Sequence, residues 1–579
     1  MIIPDGEPAK TDFVKWVLDT CSDSLRDRQN LYERRRRYML FGSADGEEVL
    51  YNRLESHLDL VASFLYSPDH ATYNIAADLN AAPTLSRQVL ALQDEWNDEF
   101  RDLGFADLFG DALFWSLTYD TMLLKSGWNT VRKEAFATMV APENFGVFIE
   151  SNPDLESQDA FAHWYYISYD QAVQRLVRAG KADLIPRLAI SNTPYESPFP
   201  ELINRLIITA TGGENLSGNV MGAVNPTYEA RANYRAKVNQ PLVKFNEIYI
   251  WDDANEDYRI FFMVDPGILC SDSLEVVDAL IKADKFKGVE HQEEFYSTKT
   301  NLFLPKDHPF TVVRPHGIYD FFWGKAHIDA LIPLQNWSTE RLEQIHDILE
   351  KQAYPPRVGS GMMGLTDEKM EAFGGADSWV YDQLPGAKIE ELRPQMPDDV
   401  FADFKEIGEI FMEASGLTAV VAGKGEGGVR SRGHAKQLAT TGSGRIKKMA
   451  VRLEEPLVRF GDLNIKLKMK NDCEPLEMDP ITPDGKPEAF LPAQLAGDFS
   501  MRIAGHSHSP LFVDDTRELA ALLFKAKAID REMLIRLLNP PDKNNMIRSL
   551  RARVLAEAKA LATRPPPPPG KKPAAQKEA

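Results

Sequence analysis

The chain has 579 residues, 44% of them apolar and 26% charged, and carries a formal net charge of −20. That length suits roughly three or four domains, and the acid excess argues against a tight nucleic-acid binder, which needs Lys and Arg to neutralise phosphates. No run of about 18 apolar residues reads as a membrane span, and the start, MIIPDGEPAKTDF, shows no secretory signal.

Residues 11–66 read as helical, with a dense arginine cluster at Arg34, Arg35, Arg36 and Arg37. Four consecutive residues of a helix point in different directions, so surface and inter-subunit ion pairs are the expected use of these arginines. Leu54, Leu58, Val61 and Leu65 follow at the spacing of one apolar helix face. Residues 86–125 read as helix again, ending in an apolar helix that runs into a strand. Residues 136–170 and 242–315 are rich in β-branched and aromatic residues between turn signals, which predicts strands. Residues 196–240 are weakly patterned and read as a surface excursion.

From residue 325 the pattern changes. A first helix is expected over 325–352, with Pro333 kinking it or delaying its start. A compact insertion follows at 353–396. Its glycines and Pro385 leave room for short strands, such as 378–381, and a small helix near 367–373. A second helix over 398–415 carries an apolar seam at Val400, Phe404, Ile407 and Phe411, with Asp398 and Asp399 at its start and Gly416 as its stop. Then comes GLTAVVAGKGEGGVRSRGHAKQ, which holds five glycines between Gly423 and Gly433 and no apolar period. A polar loop with Lys424, Arg430, Arg432 and Lys436, hung between helices, suits contact with a polyanion better than a fixed catalytic site. A long helix follows over 434–460. Strands come next, then helices near 514–526 and 530–538. A stretch of five prolines from Pro565 opens a tail that reads as extended or disordered.

The charge is unevenly placed. Residues 340–413 hold seven Lys and Arg against seventeen Asp and Glu, whereas 417–460 hold nine against three. Solvated helix faces account for this in the simplest way; a basic band in an acidic surround is also able to touch DNA without holding it.

No catalytic constellation appears. Gly428 to Ala435 has the glycine spacing of a phosphate-binding loop, but His434 and Ala435 stand where the lysine and the Mg²⁺-binding hydroxyl belong. His506 and His508 lack the further ligands of a metal site and read as part of a turn. Asp398-Asp399 and Asp514-Asp515 read as helix caps. Cys21, Cys270 and Cys473 are distant and odd in number, and read as buried packing residues rather than as a disulfide framework or zinc site. The expectation is no enzyme, no cofactor and no metal.

The order of parts resembles the portal proteins of tailed bacteriophages, the head–tail connectors, most of all those of short-tailed phages. The resemblance is sharpest from HPFTVVRP at 308–315 through the helix–insertion–helix–loop order to RLEEPLVRF at 452–460, with YERRRRYMLFG and YNRLESHLDLVASFL nearer the start. It implies an α+β multi-domain protomer that forms a ring, usually of twelve. The N-terminal wing would cover 1–324, stem helix 1 325–352, the clip 353–397, stem helix 2 398–416 and the tunnel loop 417–433. The long helix with the rest of the wing would follow at 434–510, crown helices at 511–563 and the proline-rich tail at 564–579. It implies a place at one capsid vertex of the virion, with assembly in the host cytoplasm, and a channel for packaging and ejecting double-stranded DNA. Its partners would be further copies of the chain, the large terminase subunit, a tail adaptor, and the major capsid protein or scaffold, with no membrane. Lys424, Arg430, Arg432 and Lys436 would touch phosphates without reading sequence. The alternatives are a nucleic-acid enzyme or motor with an unrecognised site, or another head–tail structural protein.

Overall fold

The structure, a computed structural model, describes residues 1–45, 49, 51–68, 71–77, 83–129, 132–190, 241–274, 303–353, 355, 357–363, 382–391, 395, 400–416, 444–471, 474–478, 488–495, 499–503, 519–538, 546–547, 549–550 and 553–554. The fold is mixed α+β. Two compact units divide the chain: Met1–Ser63, Leu108–Lys125 and Ala137–Leu453 form the first, and Phe64–Asp107, Ser126–Phe136 and Glu454–Ala579 the second.

Helix α1 (Glu7–Phe41) opens the chain with Glu7 and Pro8 in its first turn, where a carboxylate meets the helix dipole and a missing N–H costs nothing. It ends at Gly42, whose φ of 76° suits a residue without Cβ and whose N–H donates to the Tyr38 carbonyl at 2.8 Å. Helix α2 (Arg53–Leu65) buries Leu54, Leu58, Val61 and Leu65 completely, the face expected from their spacing. The chain continues through β1 (Tyr73–Ala77), α3 (Pro83–Asp102), α4 (Phe105–Tyr119), β2 (Met122–Asn129), β3 (Glu134–Val140), β4 (Phe145–Val147) and β5 (Ala160–Ser168). Next come α5 (Tyr169–Arg178), β6 (Leu242–Asp252), β7 (Asp257–Val264), β8 (Ile268–Asp272), β9 (Phe310–Val313), β10 (Gly317–Ile318) and β11 (Phe321–Gly324). The expected helix-to-strand passage near 119–122 and the strands of both β-rich regions are present. The excursion at 196–240 lies outside the described residues.

The first unit is organised by an antiparallel five-stranded sheet in the order β4-β5-β6-β7-β8. Period-2 alternation sends its residues to two different cores. Ala160, Ala162 and Trp164 of β5, Ile248 and Ile250 of β6, and Phe261 and Met263 of β7 meet Val14, Val17, Leu18 and Cys21 of α1. On the other face, Phe161, Tyr249, Tyr258 and Ile260 join Phe310, Phe322 and Trp323. Helix α1 rides very close to β4: a Cβ on Gly146 would sit 2.3 Å from the Cys21 carbonyl oxygen. Cys21 and Cys270 are buried, as expected, and burial pushes both thiols up, Cys270 to about 11. Cys473 lies outside the described residues.

After β11 the chain forms α6 (Ile332–Ala353), an antiparallel pair β12 (Arg357–Met363) and β13 (Asp382–Glu391), α7 (Val400–Ser415) and α8 (Gly444–Arg452). One expectation needs correction here. The first helix starts at Ile332, not at 325, because residues 321–324 are still strand and Ile328–Ala330 make a lone 3₁₀ turn; Pro333 then sits in the first turn, where proline is tolerated. The described strands of the insertion lie at 357–363 and 382–391; the expected strand at 378–381 and helix at 367–373 lie outside the described residues.

In the second unit, α9 (Glu454–Asn471) runs on well past residue 460, where a strand region was expected to begin. Its Leu457, Phe460, Leu463 and Leu467 are buried, an i, i+3, i+6, i+10 seam that continues the helix. The helical run breaks at Leu453 because Pro456 has no N–H for the Arg452 carbonyl and its ring crowds that turn. β14 (Leu476–Met478) pairs with β15 (Glu488–Phe490), and β16 (Phe499–Ile503) pairs with β1. Tyr73 at the start of β1 is the centre of this core. Trp96 and Phe100 of α3 pack on its ring, Asn97 closes two hydrogen bonds with its backbone, and its hydroxyl donates to the Leu457 carbonyl at 3.0 Å. Helix α10 (Arg531–Leu538) starts where expected, capped by the Asp530 carboxylate accepting from the Met533 N–H at 2.7 Å. Residues 519–525 are helical as well. The caps Asp398-Asp399 and Asp514-Asp515, the pair His506 and His508, and the tail 564–579 lie outside the described residues.

Candidate functional site

The four basic residues singled out from sequence, Lys424, Arg430, Arg432 and Lys436, lie outside the described residues, as does the whole segment 417–443. What the structure does describe is the base from which that segment leaves and to which it returns. Helix α7 ends at Ser415, and Gly416 follows with φ 80°. A Cβ on Gly416 would lie 3.3 Å from Cδ of Arg445 and 3.6 Å from the Ile446 side chain. The Arg445 guanidinium donates to the Ala414 carbonyl at 3.1 Å, a cation on the C-terminal turn of a helix. The residues on either side of 417–443 therefore lie together.

Helices α6 and α7 pack on each other and are tied by Arg341 Nε to Asp403 Oδ2 at 2.6 Å. The seam read from sequence faces inward: Ile407 and Phe411 are fully buried and Phe404 partly so. Phe411 meets the His57 ring at 4.4 Å and Phe404 lies under the Arg53 guanidinium at 4.4 Å, both from α2. Gly408 leaves the space that this arginine occupies. Gln335 of α6 is fully buried, accepts from the Arg53 N–H at 3.0 Å and donates to the Tyr51 carbonyl at 2.9 Å.

The start of α6 is held by a buried ion cluster that sequence reasoning missed. Arg35 donates to Asp329 through Nε at 2.9 Å and Nη2 at 2.6 Å, and through Nη1 to Asp120 Oδ2 at 2.8 Å and the Tyr119 carbonyl at 2.6 Å. One member of the arginine cluster is thus an internal clamp, and this corrects the expectation of surface pairing. Arg37 keeps the expected kind of pair, with Glu33 at 2.6 Å. Burial pushes the Asp120 carboxyl up to about 6 against the pull of Arg35. No sequence signal separates Arg35 from its three neighbours; helix phase with buried Tyr32 and Tyr38 is the nearest clue.

Beside the loop base, His316 and His327 stack with rings 5.4 Å apart and 3° from parallel, Nε2 to Nδ1 at 3.1 Å. Burial, then the charges of Arg445, Arg452 and Lys325, pull His316 down to about 4; burial, then His316 and Arg445, pull His327 to about 3. Both rings are neutral at pH 7, so one donates to the other. A second buried polar group centres on Glu247, which accepts from Lys125 at 2.6 Å, Tyr165 at 2.8 Å and Tyr249 at 3.1 Å. Two of these donors meet Oε2 and one meets Oε1, which fixes the carboxylate inside the sheet. A cavity of about 380 Å³ between β5 and α5 is lined, among the described residues, by Tyr165, Ile167, Gln171, Gln174, Arg175 and Arg178, which include no carboxylate, histidine or thiol. Among the described residues no three His, Cys, Asp or Glu side chains gather as metal ligands, and no helix is long and apolar enough to cross a membrane.

The chain matches no family model, and no curated protein matches it.

Proposed function

We propose that this chain is the portal protein of a tailed bacteriophage, a ring at one capsid vertex through which double-stranded DNA is packaged and ejected. The observation that carries the reading is the order α6, antiparallel pair β12–β13, α7 and α8, with the end of α7 held to the start of α8. Two packed helices flank an antiparallel strand pair, and Gly416 and Arg445, on either side of the glycine- and arginine-rich sequence 417–443, lie together. In this reading the helix pair is the stem, the β12–β13 region the clip that docks the large terminase subunit and later a tail adaptor, and 417–443 the tunnel loop. At about 1.5 Å per residue, α6 extends roughly 33 Å, on the scale of a capsid shell.

The charge pattern supports the same reading. A duplex sliding through a channel must be neither trapped nor lost. Acidic walls repel it, while a few Lys and Arg per subunit, repeated around a ring, make weak phosphate contacts without sequence preference. Lys424, Arg430, Arg432 and Lys436 are the residues proposed for those contacts. The protein itself then does no chemistry, and the energy of packaging comes from the docked terminase.

Electron microscopy of the purified full-length chain tests this directly. The expected class averages show a closed ring, of about twelve copies by analogy with such assemblies, with a central hole wide enough for duplex DNA. A chain that stays monomeric across protein concentration and salt overturns the proposal.

A further inference from the structure

Three helices around the loop base carry charged stripes that, among the described residues, meet almost no opposite charge. On α7, Glu406, Glu409 and Glu413 are exposed at i, i+3 and i+7. On α6, Glu340, Glu343, Asp347 and Glu350 are exposed at i, i+3, i+7 and i+10. On α8, Arg445, Lys448 and Arg452 are exposed at i, i+3 and i+7. Such spacings place each set on one helix face. Among the described residues the only ion pair made by any of these ten is Glu409 with Lys405, at 3.8 Å and widely exposed. The opposite faces are committed: Ile407, Phe411 and Ser415 of α7, and Ile446, Met449 and Ala450 of α8, are buried. The stripes therefore point outward, and no salt bridge joins one to another within the chain.

We infer that the basic stripe of α8 in one copy docks on the acidic stripe of α7, flanked by that of α6, in the next copy. The inference rests on the ring reading above and assigns the surfaces that build the ring. Three points select a second copy as the occupant. The stripes are opposite in sign, and the α7 and α8 stripes have the same length, about 10 Å at 1.5 Å per residue. Like charges three and four residues apart repel along each helix, so each stripe gains from an opposite one. Finally, the contact joins two different patches of the same chain. Such a heterologous contact propagates from copy to copy and closes into a ring when the rotation between neighbours permits it, whereas a self-complementary patch would stop at a dimer. Val451, about half exposed beside the basic stripe, supplies an apolar contact at its edge.

The test uses four full-length proteins: the wild type, K448E/R452E, E406K/E413K, and the combined four-fold swap. Arg445 is left alone because it also caps Ala414. Far-UV circular dichroism and thermal melts of the dissociated chains establish that these surface changes leave the fold intact. Sedimentation velocity over a protein concentration series then reads assembly. Each double reversal should raise the concentration needed for ring formation about tenfold or more, the four-fold swap should restore assembly, and high salt should weaken the wild-type ring. Rings of K448E/R452E that form normally but no longer retain DNA would assign the stripe to phosphate contact and overturn the inference. So would a four-fold swap that fails to reassemble, since the two stripes would then answer different partners. A wild type that never assembles defeats the ring reading and this inference together; a wild type that assembles while both reversals are silent defeats this inference alone.

Discussion

Replacing Arg35 by methionine keeps the helical stem of the residue and removes the charge that holds Asp120, Asp329 and the Tyr119 carbonyl together. The side chains of Arg35 and Asp120 are 5% and 4% exposed, so water cannot take over. Asp120 already titrates at about 6. Without Arg35 it takes up a proton at pH 7, which caps its own added cost at about 1.4 kcal/mol, one pH unit of linkage. The Tyr119 carbonyl, at the C-terminal end of α4, loses its donor at about 1–2 kcal/mol. The contact with the partly exposed Asp329 is worth about 1 kcal/mol. The expected loss is about 4 kcal/mol, in the range for removing one partner of a buried pair. Urea unfolding at fixed protein concentration measures it, with the slope against denaturant unchanged. Two further signatures follow. At pH 5 the wild-type carboxyl is already neutral, so the loss should shrink by about 1 kcal/mol. Adding D120N to R35M should recover more than that at pH 7, because the amide needs no proton and the unfolded chain no longer gains by ionising this position. A loss below about 1 kcal/mol, or one independent of pH, would refute the view that this cluster clamps the start of α6.

Gly146→Ala should cost at least about 1–3 kcal/mol, because the new Cβ meets backbone of α1 that cannot turn aside, whereas Gly444→Ala, with open space around it, should stay within about 0.5 kcal/mol in the same unfolding assay. His163 and His327 are buried with folded pKa values lowered to about 3, His163 by burial and then Lys125, so the unfolded chain binds protons that the folded chain refuses below pH 6.5. Their stabilising effect is complete above the unfolded pKa and is lost as pH falls, by roughly 3 kcal/mol for the pair between pH 7.5 and 5.5; His316, lowered to about 4, adds about 1 kcal/mol in the same direction and Asp120 offsets about 1 kcal/mol in the opposite one. Melting curves across that window should show the net fall, and H163Q should flatten it; a stability that rises towards pH 5.5 contradicts the assignment. Alanine at Lys424, Arg430, Arg432 and Lys436 together should leave ring assembly intact and lower the DNA packaged per particle. Loss of the ring with normal packaging by the remainder would assign those residues to subunit contacts instead.

Much of the local structure is legible in one dimension because it depends on neighbours along the chain. The 3.6 period of Leu54, Leu58, Val61 and Leu65, the seam Phe404, Ile407 and Phe411, the period-2 runs of β5 to β7, and the Asp530 cap each report a face or a terminus that a few residues decide between themselves. Helix ends set by tertiary pressure were not legible: α6 waits until Ile332 because β11 occupies 321–324 and a 3₁₀ turn 328–330, and α9 passes residue 460 because Tyr73 and α3 offer its face a core. The candidate site divides the same way. Its composition, glycines and basic residues between two helices, is visible in the sequence, as is the uneven distribution of charge. That Arg445 closes on Ala414, that Arg35 and not its neighbours lies among Asp120 and Asp329, and that His316 stacks on His327 are contacts between residues from eleven to nearly three hundred positions apart. Sequence spacing carries no information about such encounters. They are chosen when a buried charge or polar ring must find a partner among whatever the packed elements bring within hydrogen-bonding reach, because leaving it unpaired away from water costs more than the fold can spare.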